Sequence, residues 1–241
     1  MADIVLIHGT WTGAWLWKPV RDILRTAGHN VFTPSFTGMG DRIHLADLDA
    51  NLDVHINDIQ KLIEYEMLDD VILAAHSYGG LVLTEIAARM PQRVSGAVYL
   101  NAALPEAGEC MMDMQSPERR ADVLGACDTE CGGRFLPKRF LLKTGLEDAE
   151  QEAAILGRTS DHPVKSLLQP VSADRAKLAH VRRKVHVIGS RGHSGRFARD
   201  HEWAAAQTDW VATEFDTFHF PMLTLPRETA DLIQAQATGA G

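Results

Sequence analysis

A serine between a buried strand and a helix is the residue of this sequence best placed to do chemistry. Ser77 lies in the run His-Ser-Tyr-Gly-Gly at 76–80, after the apolar residues 71–75 and before the helix-forming residues 81–89. A sharp strand-to-helix turn with small residues around the serine exposes its hydroxyl. Position 75 is alanine where the strict Gly-x-Ser-x-Gly pattern has glycine, and a small residue still suits the turn. The sequence therefore predicts that Ser77 is a nucleophile.

A serine hydroxyl is a weak nucleophile until a base accepts its proton. The chain has 11 histidines, and position favours His219, which follows the last apolar run and precedes the final helical stretch. Such a loop at the carboxyl end of a strand reaches back over the serine, and the order serine then histidine fits. The negative charge that develops during attack also needs main-chain N–H donors. We predict that Tyr78, directly after Ser77, and Thr10, in a glycine-containing loop, supply them.

These residues need a fold that brings the ends of several strands together. Apolar runs alternate with helical stretches, which is typical of a mostly parallel sheet with helices on both faces. We predict strands at 4–7, 30–34, 71–75, 94–100, 185–188 and 210–215, and helices at 18–27, 54–67, 81–89, 201–207 and 226–236.

The fourth and fifth predicted strands are separated by far more residues than one crossover needs. We predict that residues 105–180 form a helical cap, inserted in an α/β core of residues 1–104 and 181–241. The cap is expected over the carboxyl ends of the strands, where ligands of open α/β sheets bind.

Composition excludes several classes of function. The formal net charge of -8 argues against nucleic acid as a partner, and no apolar run is long enough to span a membrane. The first residues carry no signal-peptide pattern, so we expect a cytoplasmic location. Three cysteines without such a signal predict neither a disulfide framework nor a metal site. The expected partner is a small-molecule substrate. Whether the chain forms a homodimer stays open.

Longer segments of the sequence resemble the α/β-hydrolase superfamily, in the group of small bacterial esterases, plant methyl esterases and hydroxynitrile lyases. They are HGTWTGAWLW at 8–17, TGMGDRIHL at 37–45, HINDIQKLIEYEMLDDVILAAHSYGG at 55–80, VYLNAALPEAG at 98–108 and DWVATEFDTFHFPML at 209–223. Residues 109–180 are matched only weakly. The resemblance implies an α/β-hydrolase fold with about six strands in the sheet and chemistry that needs no cofactor.

The sequence differs from this group at the position of the catalytic triad's acid. Members orient the histidine with a carboxylate, either after the penultimate strand or after the strand that follows the serine helix. In this sequence the first place offers no carboxylate before Asp200, and the second place is Asn101. By position the triad is therefore Ser77, Asn101 and His219. An amide can hold a histidine tautomer, but it supplies no charge, and in a serine triad the wrong tautomer costs about four orders of magnitude in turnover.

Four interpretations of position 101 stay open. The site is a slow esterase that uses Asn101, or another carboxylate replaces the acid. The chemistry needs no acyl-enzyme, or Asn101 is an engineered change from aspartate. The carboxylates considered as replacements are Glu106, Asp200 and Asp216.

Other residues are expected to shape the substrate pocket. Trp11 adjoins Thr10 and is predicted to wall the pocket. Met111 and Met112 begin the cap, where flexible thioethers suit an adaptable apolar pocket, although ordinary packing inside the cap explains them equally. We expect His76 to be a structural residue that points to the far side of the sheet.

Three hypotheses about function follow. The first is a cofactor-independent carboxylic-ester hydrolase that acts on a small to medium apolar or aromatic ester. The second is a non-hydrolytic lyase, decarboxylase or cyclase in which Ser77 and His219 form an acid/base pair. Phe220 stands where hydroxynitrile lyases carry lysine, which argues against cyanohydrin cleavage. The third is a low-activity variant that mainly binds its ligand.

Overall fold

Six parallel strands form the central sheet of the part of the chain that the structure describes. The structure is a computed structural model, and it describes residues 1–141, 144–191 and 194–238. The strands in chain order are β1 Asp3–Ile7, β2 Asn30–Phe32, β3 Val71–His76, β4 Val94–Leu100, the short β5 Phe135–Leu136 and β6 His162–Pro163, β7 Arg183–Gly189 and β8 Val211–Phe215. The order in the central sheet is β2-β1-β3-β4-β7-β8, with every pair parallel. The predicted α/β-hydrolase fold class, with its six-stranded sheet, is confirmed.

Burial along the strands explains why the sequence forms this sheet. Every residue of β3 and β4, at the centre, is buried. A strand covered on both faces needs apolar residues at successive positions rather than in alternation. The edge strand β8 is partly exposed along its length. The central strands were therefore the easiest to predict.

Helices cover both faces of the sheet. They are α1 Lys18–Thr26, α2 Leu52–Tyr65, α3 Gly79–Arg89, α4 Pro117–Cys131, α5 Ala149–Leu156, α6 Val164–Leu168, α7 Ser194–Ala205, α8 Pro221–Thr224 and α9 Pro226–Thr238. Short 3-10 helices lie at Ala14–Trp17, Gly40–Leu48, Met111–Met114, Lys138–Phe140 and Arg175–His180. One apolar cluster contains buried residues of α1 and α9, and the other contains those of α2, α3 and α7. No helix in these described ranges is long and apolar enough to cross a membrane.

Residues 105–180, which we call the insertion, differ from the all-helical prediction. Besides α4, α5 and α6, the insertion contains the antiparallel pair β5 and β6, which joins Phe135 to Pro163 and Leu136 to His162. Strands of two residues carry no alternation that a sequence pattern could reveal. The division into a core and a separate cap domain stays a prediction.

The helix predicted at 201–207 begins earlier, at Ser194. Phe197 and Ala204 are buried in its apolar face, so burial extends the helix toward β7. The sequence Gly-His-Ser-Gly at 192–195 lacks the residue between serine and glycine that the nucleophile motif has, and it therefore predicts a loop. Residues 192–193 lie outside the described residues, whereas 194 and 195 belong to α7.

Candidate active site

Ser77 lies in a sharp turn between β3 and α3. Its φ is 54°, a left-handed value that a non-glycine residue adopts only where the surroundings enforce it. The Ser77 carbonyl accepts hydrogen bonds from the N–H groups of Gly80 and Ala103, each at 3.1 Å, and the Ser77 N–H donates to Leu100 O at 3.4 Å. Main-chain bonds to two neighbouring segments thus fix the turn.

The glycines after the serine allow two backbones to approach closely. A Cβ on Gly79 would lie 2.7 Å from His8 O, and one on Gly80 would lie 2.1 Å from Ala103 O. A side chain at either position would overlap main-chain atoms, which cannot rotate away. The Gly-Gly pair therefore lets α3 start directly beneath the strand ends.

His219 lies in the loop after β8 and is almost completely buried. Its ring centroid is 4.5 Å from the ring of His76, and it lies parallel to the ring of Phe197 at 5.9 Å. His76 Nε2 donates to the His219 carbonyl at 2.9 Å. Because His76 directly precedes Ser77, the fold brings the predicted base next to the predicted nucleophile's strand.

The sequence analysis expected His76 to be a structural residue that points to the far side of the sheet. In the structure its side chain instead contacts His219. Burial lowers the pKa of His76 from 6.5 to about 3, so the ring is neutral near pH 7. Since a carbonyl accepts from Nε2, the single proton is on Nε2. The other ring nitrogen, Nδ1, is buried and has no hydrogen-bond partner among the described residues.

Asn101 follows β4, is buried and has a left-handed φ of 44°. Its Nδ2 donates to Phe218 O at 3.1 Å and to His219 O at 3.2 Å. Its Oδ1 accepts from Gly189 N at 2.7 Å. Asn101 therefore does lie beside His219, as its position in the sequence predicts. Within the described part of the chain, however, the hydrogen bonds of the Asn101 side chain go to main-chain groups and not to the His219 imidazole.

Two of the carboxylates considered as a replacement acid are exposed and paired with arginines. Glu106 forms an ion pair with Arg175, and Asp216 forms one with Arg191. Exposed pairs of this kind contribute little to stability. The arginines are nevertheless the partners of both carboxylates, rather than His219.

The third carboxylate, Asp200, is buried in α7. Its Oδ2 accepts from Leu104 N at 2.8 Å and its Oδ1 pairs with Arg199 at 2.8 Å. Burial raises the pKa of Asp200 despite these partners. Within the ranges that the structure describes, none of the three carboxylates forms a hydrogen bond with His219. The hypothesis of a replacement acid thus gains no contact from these residues.

The two predicted oxyanion donors flank Ser77. Tyr78 follows it, and Thr10 lies in the loop after β1. A Cβ on Gly9 would lie 2.9 Å from Ser77 Cβ, so this loop passes close to the serine. Among the described residues, neither the Thr10 N–H nor the Tyr78 N–H donates to another protein group. Their role as oxyanion donors stays a prediction.

The Tyr78 side chain faces the core rather than the pocket. Its hydroxyl lies 2.8 Å from Nδ1 of His55, whose Nε2 donates to Thr37 O at 3.1 Å. Burial lowers the pKa of His55 to about 3, so its Nδ1 accepts from the tyrosine. The ring of His162, from β6, packs on Tyr78 at 5.0 Å. Sequence analysis selected neither histidine: His55 begins the resembling segment at 55–80 without being assigned a role, and His162 lies in the weakly matched residues 109–180.

A narrow cavity of about 30 Å³ opens beside Thr10. Trp11, Met111 and Met112, the predicted pocket residues, line it together with apolar side chains of the insertion. The indole N–H of Trp11 donates to Leu136 O at 3.3 Å. The polar lining also includes Gln115 and Arg119, which the sequence analysis did not select; the full set is Thr10, Trp11, Met111, Met112, Gln115, Arg119, Val123, Leu136, Phe140 and Leu167.

The described part of the chain contains no group of three or more His, Cys, Asp or Glu residues that could hold a metal ion. Free thiols at Cys110, Cys127 and Cys131 lie in the insertion.

Comparison with known proteins shows what the chain is similar to. Residues 4–232 match the alpha/beta hydrolase family. The chain is 32% identical over 244 residues to a carbendazim hydrolyzing esterase of Nocardioides sp. (strain SG-4G), covering 98% of this chain and 99% of that protein. It is 27% identical over 251 residues to methylesterase 9 of Arabidopsis thaliana, covering 96% of each. An extracellular alpha/beta-hydrolase from a Paenibacillus species has a similar structure, with a TM-score of 0.82, 22% identity and coverage of 98% and 99%.

Proposed function

We propose, from the premise that this chain belongs to the alpha/beta hydrolase family and is a hydrolase of esterase type, that Ser77 is the nucleophile of a cofactor-independent carboxylic-ester hydrolase. The observation that carries the proposal is the left-handed turn at Ser77, between β3 and α3. Among the described residues, the main-chain N–H groups of Thr10 and Tyr78 donate to no other protein group, which supports their proposed role as oxyanion donors. This is the arrangement that acyl transfer requires.

The mechanism follows from these positions. His219 accepts the hydroxyl proton as Ser77 Oγ attacks the ester carbonyl, and the N–H groups of Thr10 and Tyr78 stabilise the oxyanion. The intermediate collapses as His219 returns the proton to the departing alkoxide, which leaves an acyl-Ser77 ester and an alcohol. Water, deprotonated by His219, then releases the carboxylic acid and restores the serine.

The cavity beside Thr10 supports a proposal about the substrate class. Its lining is mainly apolar, with Trp11 next to the proposed oxyanion donor and two methionines from the insertion. Flexible thioethers adapt to ligands of different shape. We propose a small to medium apolar or aromatic ester as substrate. The names of the relatives, an esterase that hydrolyses carbendazim and a plant methylesterase, support an ester with a small alcohol part.

Turnover of p-nitrophenyl acetate, butyrate and benzoate tests the proposal. In Ser77→Ala and His219→Ala we expect kcat to fall by about 10⁴-fold or more, because the nucleophile and base act as a unit. Ser95→Ala is a matched control. This buried serine lies near the start of β4, at the end of the strand away from Asn101, and its hydroxyl donates to Asp70 O. It should retain wild-type turnover.

The products separate the other hypotheses from this one. Equal amounts of acid and alcohol support hydrolysis. Activity that persists in Ser77→Ala contradicts Ser77 as the nucleophile. Cleavage without formation of a carboxylic acid points to the lyase, decarboxylase or cyclase class, and recovery of intact, tightly bound ester points to a binding protein.

A further inference from the structure

The main chain that carries His219 is held by two side chains from neighbouring strand ends. His76 is the last residue of β3, and Asn101 follows β4. Both donate to the carbonyl of His219, at 2.9 and 3.2 Å. We propose that His76 and Asn101 act as a clamp on this carbonyl, positioning the base against Ser77, and that residue 101 is an amide because the clamp needs a hydrogen-bond donor. The inference rests on the proposed function of Ser77 and His219.

The His219 carbonyl is fully used by this clamp. A carbonyl oxygen has two lone pairs, and these two donors match that number. The backbone of a loop is normally more mobile than the strands it connects. Here two buried side chains fix the loop at the residue that bears the base.

The orientation of the Asn101 amide is set by its third partner. Gly189 N–H, at the end of β7, can only donate, and it donates to Oδ1 at 2.7 Å. This places Nδ2 toward the carbonyls of Phe218 and His219, so both of its N–H groups are used. One side chain thereby joins β4, β7 and the loop after β8. The left-handed φ of Asn101 is also one that asparagine tolerates better than most residues.

A carboxylate at position 101 fits this environment poorly. One oxygen can still accept from Gly189, but the other would face the carbonyl oxygens of Phe218 and His219, which lie 3.1 and 3.2 Å from Nδ2. Two attractive bonds would become two repulsive contacts between acceptors. The clamp therefore predicts a lower kcat for Asn101→Asp. If Asn101 were instead a triad position that lacks its carboxylate, the same substitution would raise kcat.

His76 contributes to the clamp from the nucleophile's own strand. It directly precedes Ser77, is buried, and packs its ring at 4.5 Å from that of His219. The neutral ring has one N–H group, at Nε2, and this group donates to the His219 carbonyl. The clamp thus links the nucleophile and the base through one side chain. A misplacement of about 1 Å in such a pair can cost on the order of 100-fold in rate.

Kinetics of p-nitrophenyl butyrate with Asn101→Asp, His76→Leu and His76→Gln tests the clamp. We expect Asn101→Asp and His76→Leu to lower kcat by about 10- to 100-fold while KM changes by less than about threefold. His76→Gln keeps an N–H donor, so we expect kcat within about fivefold of wild type. A residue with a merely structural role would not show rescue by glutamine together with an unchanged KM.

Controls keep the outcomes distinct. Thermal melting shows whether each variant is folded, and Ser95→Ala measures the loss of a buried hydrogen bond far from the site. If a position 101 variant does not fold, the pair His76→Leu and His76→Gln still decides the question. Unchanged or higher kcat in Asn101→Asp overturns the clamp, as does a His76→Gln variant no faster than His76→Leu. Activity that persists in Ser77→Ala instead overturns the proposed function itself.

Discussion

Replacing Gly80 with alanine tests the close contact that holds the serine turn. A Cβ at position 80 would lie 2.1 Å from Ala103 O and 2.9 Å from Ala103 N. Both are main-chain atoms, so the helix must move by roughly 1 Å before the contact becomes an ordinary one. The N–H of Ala103 also donates to Ser77 O. Movement of α3 therefore displaces the turn that presents the nucleophile.

The expected loss can be worked out from opposing effects. Overpacking costs about 1–3 kcal/mol, sometimes more, whereas alanine is favoured over glycine inside a helix by about 1 kcal/mol. Because the overlap is with a main-chain oxygen at 2.1 Å, we place the overpacking cost at about 3 kcal/mol, and the free energy of unfolding should then fall by about 2 kcal/mol for Gly80→Ala. For a chain of this size that corresponds to a melting temperature lower by about 4–8 °C. We expect kcat for p-nitrophenyl butyrate to fall at least about 10-fold.

Gly125→Ala is the matched control for this measurement. Gly125 is also a helical glycine, in α4, and a Cβ there would meet no atom within 4 Å. The helix preference alone should raise the melting temperature by about 2–4 °C with kcat unchanged. Differential scanning calorimetry and ester turnover measure both quantities. A Gly80→Ala enzyme as stable and active as wild type, or equal destabilisation by both substitutions, would refute the reasoning.

Three further predictions concern pH, the insertion and the pocket. Five buried histidines of the described residues have folded-state pKa values well below 6.5, so the unfolded state binds more protons and stability falls as pH drops below about 6.5, by about 1–2 kcal/mol per histidine at pH 5; urea unfolding at pH 7.5 and 5 should show this, and equal stability at both would contradict it. Glu85→Gln should lower the free energy of unfolding by about 1–3 kcal/mol, measured by urea unfolding, because the buried carboxylate accepts from Ser172 N and Ala173 N; an unchanged value would contradict that. Met112→Ala should raise kcat/KM for the benzoate relative to the acetate ester by about 3- to 10-fold, and an unchanged ratio would place Met112 outside the substrate pocket. The five histidines are His8, with a pKa of about 4, His55, His76 and His186, each with a pKa of about 3, and His162, whose pKa burial lowers well below 6.5.

The central sheet could be predicted because its strands are continuous apolar runs. The run at 71–75 became β3 at Val71–His76, and 94–100 became β4 without change. The insertion was harder, since β5 and β6 have two residues each and derive their stability from tertiary contacts. Of its longer helices, α4 has only three buried residues and α5 has none. Local pattern therefore specified the core and left the segment that lines the cavity largely undetermined.

The candidate site was predictable to the extent that local sequence specifies it. The turn at Ser77 follows from the residues beside it, and Asn101 follows from its place after β4. What Asn101 contacts depends on loops more than 80 positions away, which no local pattern encodes. The contact of His76 with His219 spans 143 positions. Long-range packing thus decides whether a polar side chain meets a ring or a main-chain carbonyl.

Covalent labelling tests the central claim, that Ser77 is the nucleophile, most directly. The wild-type protein is treated with a fluorophosphonate, and the modified residue is identified by intact-mass measurement and peptide mapping. We predict one adduct per chain, located on Ser77, with loss of ester turnover in proportion to labelling. Ser77→Ala should take up no label. An adduct on another residue, or full ester turnover in a protein labelled at Ser77, would contradict the account.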